Sequence, residues 1–140
     1  MITKELIHTV INQYTLPLNG IHGILHWARV LENGTRLAVI NNANLQVVQL
    51  FAIFHDSGRN NDGIDPCHGK RGSEFAASLR GSFFDLNDEN LELLSIACTY
   101  HTDGLTDGDI TVQTCWDSDR LDLGRIGIKP NLRYLCTDAA

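Results

Sequence analysis

A chain of 140 residues with 43% hydrophobic and 20% charged residues suits one compact domain, residues 1–140, and leaves little room for a second. Its net charge of -6 argues against general binding to long nucleic acid, where clustered Lys and Arg supply the attraction, but not against a small anionic substrate, because a local metal can reverse the potential inside a pocket. No apolar run approaches the ~20 residues of a membrane span, and Met1-Ile2-Thr3-Lys4-Glu5 lacks the basic-then-apolar layout of an export signal, so a cytoplasmic protein is expected, with no membrane partner.

Helical periodicity dominates the chain. Residues 3–14 place Leu6, Ile7, Val10 and Ile11 at helix spacing, and Pro17 follows as a stop. A second helix is expected from Gly20 to about Asn33, with Ile24, Leu25, Trp27, Ala28 and Leu31 suited to burial, and Asn33-Gly34 marking a break or at least a weak point. The run LQVVQLFAIFHD from Leu45 is apolar almost throughout. Its Val and Phe content leans toward a strand, but its neighbours are helical and no hairpin turn flanks it, so it reads as a buried helix that ends at Ser57-Gly58. RNNDGIDP is a loop by its turn residues. A helix follows over Cys67–Leu79, then one capped by Asn87 or Asp88 and running to His101, and a last one over 110–123. The fold class expected is all-α. Cys67, Cys98, Cys115 and Cys136 form no CxxC and are expected to be reduced and mostly buried.

The chemistry lies in the histidines and their company. His22 and His26 are four apart, on one helical face. His55-Asp56 closes the apolar helix, His68 opens the next after a loop, His101 ends another, and Asp117 and Asp119 lie in WDSDRLDL. A borderline divalent metal takes imidazole nitrogen together with carboxylate oxygen, the groups found where these helices end. An adjacent His-Asp pair is a weak signal alone; H…HD…D spread over three helices is far more specific. TDGLTDGDI, with Asp103, Asp107 and Asp109, lacks the spacing of a calcium loop and reads as solvated. Trp27, Phe51 and Phe54 read as core.

His26 in HGILHWARV, His55-Asp56 in FHDSGR and Asp119 in SDRLDL together resemble the signature of the HD phosphohydrolase superfamily, over about residues 20–125. The resemblance implies a helical bundle of five or more helices in which His26, His55, Asp56 and Asp119 hold a divalent ion: Mn, Mg, Co, Ni, Zn or Fe. Asp119 is preferred to Asp117 because its context matches the family's A-D-x-L, with Ser118 for the usual Ala. Asp117 is then a candidate to hold a histidine's second ring nitrogen. His68 and His101 resemble the extra histidines of HD proteins with two metals, where Asp56 would bridge. Alternatively they bind phosphate and protonate the leaving group. His22 is open between ligand, support and bystander. Arg59 is placed with Asp56, His68 and His101 in the catalytic set as a phosphate contact, whereas Lys70 and Arg71 fit solvated loop cations better.

The implied activity is hydrolysis of a phosphate ester, of a nucleotide or another small phosphorylated molecule, by metal-activated water. No Ser or Cys sits in a recognisable nucleophile setting. Two rivals stand beside it. A di-iron oxygenase would use His26, His55, Asp56, His68, His101 and Asp119 on two irons, and a non-catalytic ligand-binding module would be expected to have lost ligands, of which none is missing. Leu and Ile on several faces would suit a homodimer.

Overall fold

The computed structural model describes residues 2–140. Six helices follow one another: α1 (Lys4–Gln13), α2 (Ile24–Asn41), α3 (Leu45–Phe54), α4 (His68–Leu79), α5 (Asp88–Tyr100) and α6 (Ile110–Arg120). Two short 3₁₀ turns, Leu123–Ile126 and Leu132–Tyr134, complete the chain. The architecture is all-α, with a single isolated bridge between Arg80 and Phe84 among the described residues.

α3 explains the arrangement. Val47, Val48, Leu50, Phe51, Ala52, Ile53 and Phe54 are all buried, and a helix that is apolar all round has to be surrounded. The other five helices pack on it, and its strand-like composition yields to that environment. Polar caps start four of the helices: Thr3 Oγ1 accepts from Leu6 N, Asn44 Oδ1 from Val47 N, Asn87 Oδ1 from Asn90 N and Asp109 Oδ1 from Thr111 N, at 2.8–3.1 Å. Each satisfies a backbone N–H that the first turn leaves without a partner. No described helix is long and apolar enough to cross a membrane.

The sequence reading of α2 needs three corrections. The helix starts at Ile24 rather than Gly20, so His22 lies in the turn before it and shares no helical face with His26. The helix does not break at Asn33-Gly34 but continues to Asn41. Gly34 is a contact point: a Cβ there would meet Val48 Cγ1 at 2.5 Å, so the missing side chain lets α2 lie against α3. The inward face also differs. His26, Trp27 and Val30 are buried, whereas Ile24, Leu25 and Ala28 face outward, Leu25 at 61% exposure. Sorting residues by hydropathy misplaced this face because its central member is a histidine. At the other end of the chain, α6 stops at Arg120 and residues 121–123 pass into a 3₁₀ turn. Of the cysteines, all free, Cys98 and Cys115 are buried, Cys136 is half-buried and Cys67 is exposed at the left-handed residue preceding α4.

α4 sits close to its neighbours through two glycines. A Cβ on Gly69 would lie 2.1 Å from Cys98 O, and one on Gly72 would lie 2.3 Å from Phe54 O. Both obstacles are main chain and cannot swing aside. Gly72→Ala is therefore expected to destabilise the protein by about 1–3 kcal/mol through overpacking, despite the better helix propensity of Ala. Urea unfolding reads this, and an unchanged midpoint would refute the close approach.

Candidate metal centre

The ends of five helices meet around Asp56. His26 comes from the first turn of α2, and His55 and Asp56 follow the last residue of α3. His68 opens α4, His101 follows α5, and Asp119 lies near the end of α6. The four histidines are 0–4% exposed and Asp56 is 2% exposed. All six candidate ligand residues named from the sequence are thus brought together in one region.

They form two groups. In the first, His26 Nε2 and His55 Nε2 are 3.0 Å apart. Asp56 Oδ2 lies 3.2 Å from each, and Asp119 Oδ1 lies 3.2 Å from His26 Nε2 and 3.5 Å from His55 Nε2. In the second, His68 Nε2 and His101 Nε2 are 3.0 Å apart, at 3.3 and 3.5 Å from Asp56 Oδ1. Asp56 thus turns one oxygen to each histidine pair. Each of the triads His26-His55-Asp56 and Asp56-His68-His101 could hold a metal ion.

The tautomers sharpen this. Asp122 Oδ2 accepts from His26 Nδ1 at 2.7 Å, and Phe51 O accepts from His55 Nδ1 at 3.0 Å. Asp65 O accepts from His68 Nδ1 at 2.7 Å, and Cys98 O accepts from His101 Nδ1 at 2.6 Å. Carboxylates and carbonyls only accept, so each Nδ1 carries the proton and each neutral ring presents a bare Nε2. Two bare lone pairs 3.0 Å apart repel unless a proton or a cation lies between them. Ligand atoms about 2.0–2.2 Å from one ion are themselves roughly 3.0–3.5 Å apart, the separations observed. The donor set therefore fits a borderline divalent ion, which His26, His55 and Asp56 could hold, with Asp119 Oδ1 3.2 Å from His26 Nε2.

Protonation follows the same geometry. Burial works against a charged His55, but the Asp56 charge and the hydrogen bonds with Asp119 and Asp56 outweigh it and push its pKa up to about 10. Burial also opposes charge on His26, and hydrogen bonds that the ring donates to Asp119 and Asp56 raise its pKa nonetheless. Burial would raise both carboxylates, yet the histidines hold Asp56 and Asp119 well below the usual carboxylate range. Where an ion would sit, the protein by itself keeps a proton.

Asp117 does not support a histidine. It accepts from Cys136 N, Thr137 N and Thr137 Oγ1 at 2.6–3.0 Å and anchors the C-terminal segment. The supporting carboxylate is Asp122, which also accepts from Arg29 Nε at 2.7 Å. Sequence reasoning passed over Asp122, although its position three residues after Asp119 puts the two on one side of a helical turn. Arg59 is buried against the centre: Nε donates to Asp56 Oδ1 at 3.1 Å, and Nη1 donates to Asn61 O and Gly63 O. Lys70 is exposed, and Arg71 is tied to Gly58 O and Asp65, so both act in the local scaffold.

A cavity of about 320 Å³ opens beside the centre. Its lining includes Asp56, Asp119 and His101, the cations Arg59, Arg120 and Arg125, and the apolar groups of Leu123, Ile126 and Tyr134. Among the described residues Arg120 has no carboxylate within ion-pair distance, and its guanidinium donates only to Leu105 O, Tyr134 O and Cys136 Sγ.

No family model and no curated protein matches the sequence. The crystal structure of a predicted HD superfamily hydrolase from an uncultured Thermotogales bacterium superposes with a TM-score of 0.69 at 28% identity, over 86% of this chain and 67% of that one. The chain has an HD-domain-like all-α fold. That fold accounts for His26, His55-Asp56 and Asp119 converging from helices far apart in sequence, because the bundle around α3 brings those helix ends to one place.

Proposed function

We propose that this HD domain is a metal-dependent phosphohydrolase acting on a phosphate ester of a small molecule, nucleotides included. The observation that carries the reading is the pairing of bare imidazole nitrogens at 3.0 Å on either side of one buried carboxylate, which asks for cations. His26, His55, Asp56 and Asp119 would hold a divalent ion, whose chemistry would be to lower the pKa of a water and to offset charge on phosphoryl oxygens. The chain's own groups do the rest. Arg59 and Arg125, with Arg120 beside them, make the cavity attractive to an anion despite the net charge of -6. Leu123, Ile126 and Tyr134 give an apolar wall for the rest of the substrate. His68 and His101 would either hold a second ion together with Asp56 or meet the phosphate directly.

The second reading, a di-iron oxygenase, is favoured by one feature, the two triads that share Asp56. Metal analysis of the purified protein, followed by assay with Mn(II) against nucleotides and generic phosphodiesters, separates the two. Hydrolysis that is lost with chelator and restored by Mn(II) is expected. Two bound irons with a mixed-valence signal and no hydrolysis would favour oxygenation, and neither metal nor turnover would sink the enzyme reading.

A further inference from the structure

His22 is a buried titratable group that the metal centre leaves unused. It is 6% exposed and lines the cavity together with Asp56, Arg59 and Asp119. Its Nδ1 lies 2.8 Å from Asp62 Oδ1, so a neutral ring keeps its proton on Nδ1 and presents a bare Nε2. That Nε2 makes no hydrogen bond with any described residue, and it is not a sealed-off polar atom. The His22 ring stands 6.4 Å from that of His26, edge to face, and lines the same cavity as Asp56 and Asp119.

The placement is built rather than incidental. The His22 main-chain carbonyl accepts from Trp27 Nε1 at 2.8 Å and from Tyr14 Oη at 3.1 Å. Both donors are buried aromatic residues, and their rings pack at 5.1 Å. The backbone is thus fixed by bonds that involve no atom of the imidazole, which leaves the ring free to serve the cavity.

We propose that His22 is the general base of the reaction, with Asp62 as its positioning residue. This rests on the hydrolase reading above. As the water oxygen bonds to phosphorus, its O–H bond breaks and the proton passes to His22 Nε2, while the bond from phosphorus to the leaving oxygen breaks with its electron pair. The imidazolium formed is stabilised by the Asp62 carboxylate, and it returns the proton to the leaving group or to solvent. Burial lowers the His22 pKa, against the hydrogen bond from Asp62 and the charge of Asp56, while Arg59 and Arg125 favour the neutral ring. The base is therefore in its acceptor form at neutral pH.

The test compares wild type with H22Q, H22A and D62N, using Mn(II) and bis-p-nitrophenyl phosphate. Mn(II) affinity by calorimetry and KM are expected to stay within about threefold in all three variants. The kcat of H22Q and H22A should fall on the order of 10²–10³-fold, and that of D62N by roughly tenfold or more. Added imidazole should restore part of the kcat of H22A, in proportion to its free-base concentration, which a merely structural role would not allow. If H22Q turns over like wild type, or if H22A loses Mn(II) or is deaf to imidazole, the base assignment fails while the hydrolase stands. A wild-type protein that neither binds Mn(II) nor hydrolyses the ester would take both down.

Discussion

Replacing Asp56 by Asn is expected to abolish metal-dependent hydrolysis and to weaken Mn(II) binding on the order of 10³-fold or more. Among the described residues Asp56 alone turns an oxygen to each histidine pair, and it is buried. Asn keeps the shape but brings one oxygen, no charge and an NH₂ that must face one of the two pairs. An amide that cannot balance a divalent ion in a buried site leaves the ion's desolvation cost unmet. Protein stripped of metal should suffer as well. A protonated His55 keeps only Asp119 of its two counter-charges, and breaking a buried pair from one side costs up to about 3–5 kcal/mol. Calorimetric Mn(II) titration and urea unfolding in chelator read the two effects separately. Retention of Mn(II) affinity within tenfold would mean that Asp56 is not a ligand.

The fold and the centre were legible in the sequence to different depths. His26, His55-Asp56 and Asp119 could be named because three separated motifs stand in the order of the HD signature, and Asp119 is preferred to Asp117 by its resemblance to that family's context. α3 could be read as buried because an apolar run has no polar side to turn outward. What failed was the inference of facing where function and burial conflict. The inward face of α2 carries His26, so sorting by hydropathy turned Ile24 and Leu25 inward instead. Gly34 read as a breaker because its use, the approach of Val48 from another helix, depends on tertiary structure. Asp117 and Asp122 are indistinguishable by residue type. Only the bend of the chain after Arg120 brings Asp122 to His26 and leaves Asp117 to the C-terminal segment. Asp62 lies in a loop of turn-forming residues, where nothing local marks it as the partner of a histidine 40 positions away.

The proton that the centre keeps makes metal affinity and stability respond to pH in opposite directions. In protein treated with chelator, His55 titrates at about 10 instead of near 6.5, and His26 is raised too. A raised histidine contributes stability that is fully present below its unfolded pKa and is lost as pH rises through the folded one, because the native state then binds more protons than the unfolded chain. From pH 6.5 to 9 the melting temperature of chelated protein should therefore fall. His22, lowered by burial, acts below this window and does not mask the trend. The depressed carboxylates Asp56 and Asp119 act lower still, losing their contribution only as pH falls below the usual carboxylate range. Metal has to displace the same protons, so Mn(II) affinity should rise over this window by about tenfold per pH unit for each proton released. With Mn(II) in excess, the native state carries the ion in place of the proton, and the decline in melting temperature should flatten or reverse. Titration calorimetry in two buffers of different ionisation enthalpy counts the protons released. A Mn(II) affinity independent of pH, with a chelated melting temperature that is level or climbing from pH 6.5 to 9, would show that His26 and His55 do not share a protonated site.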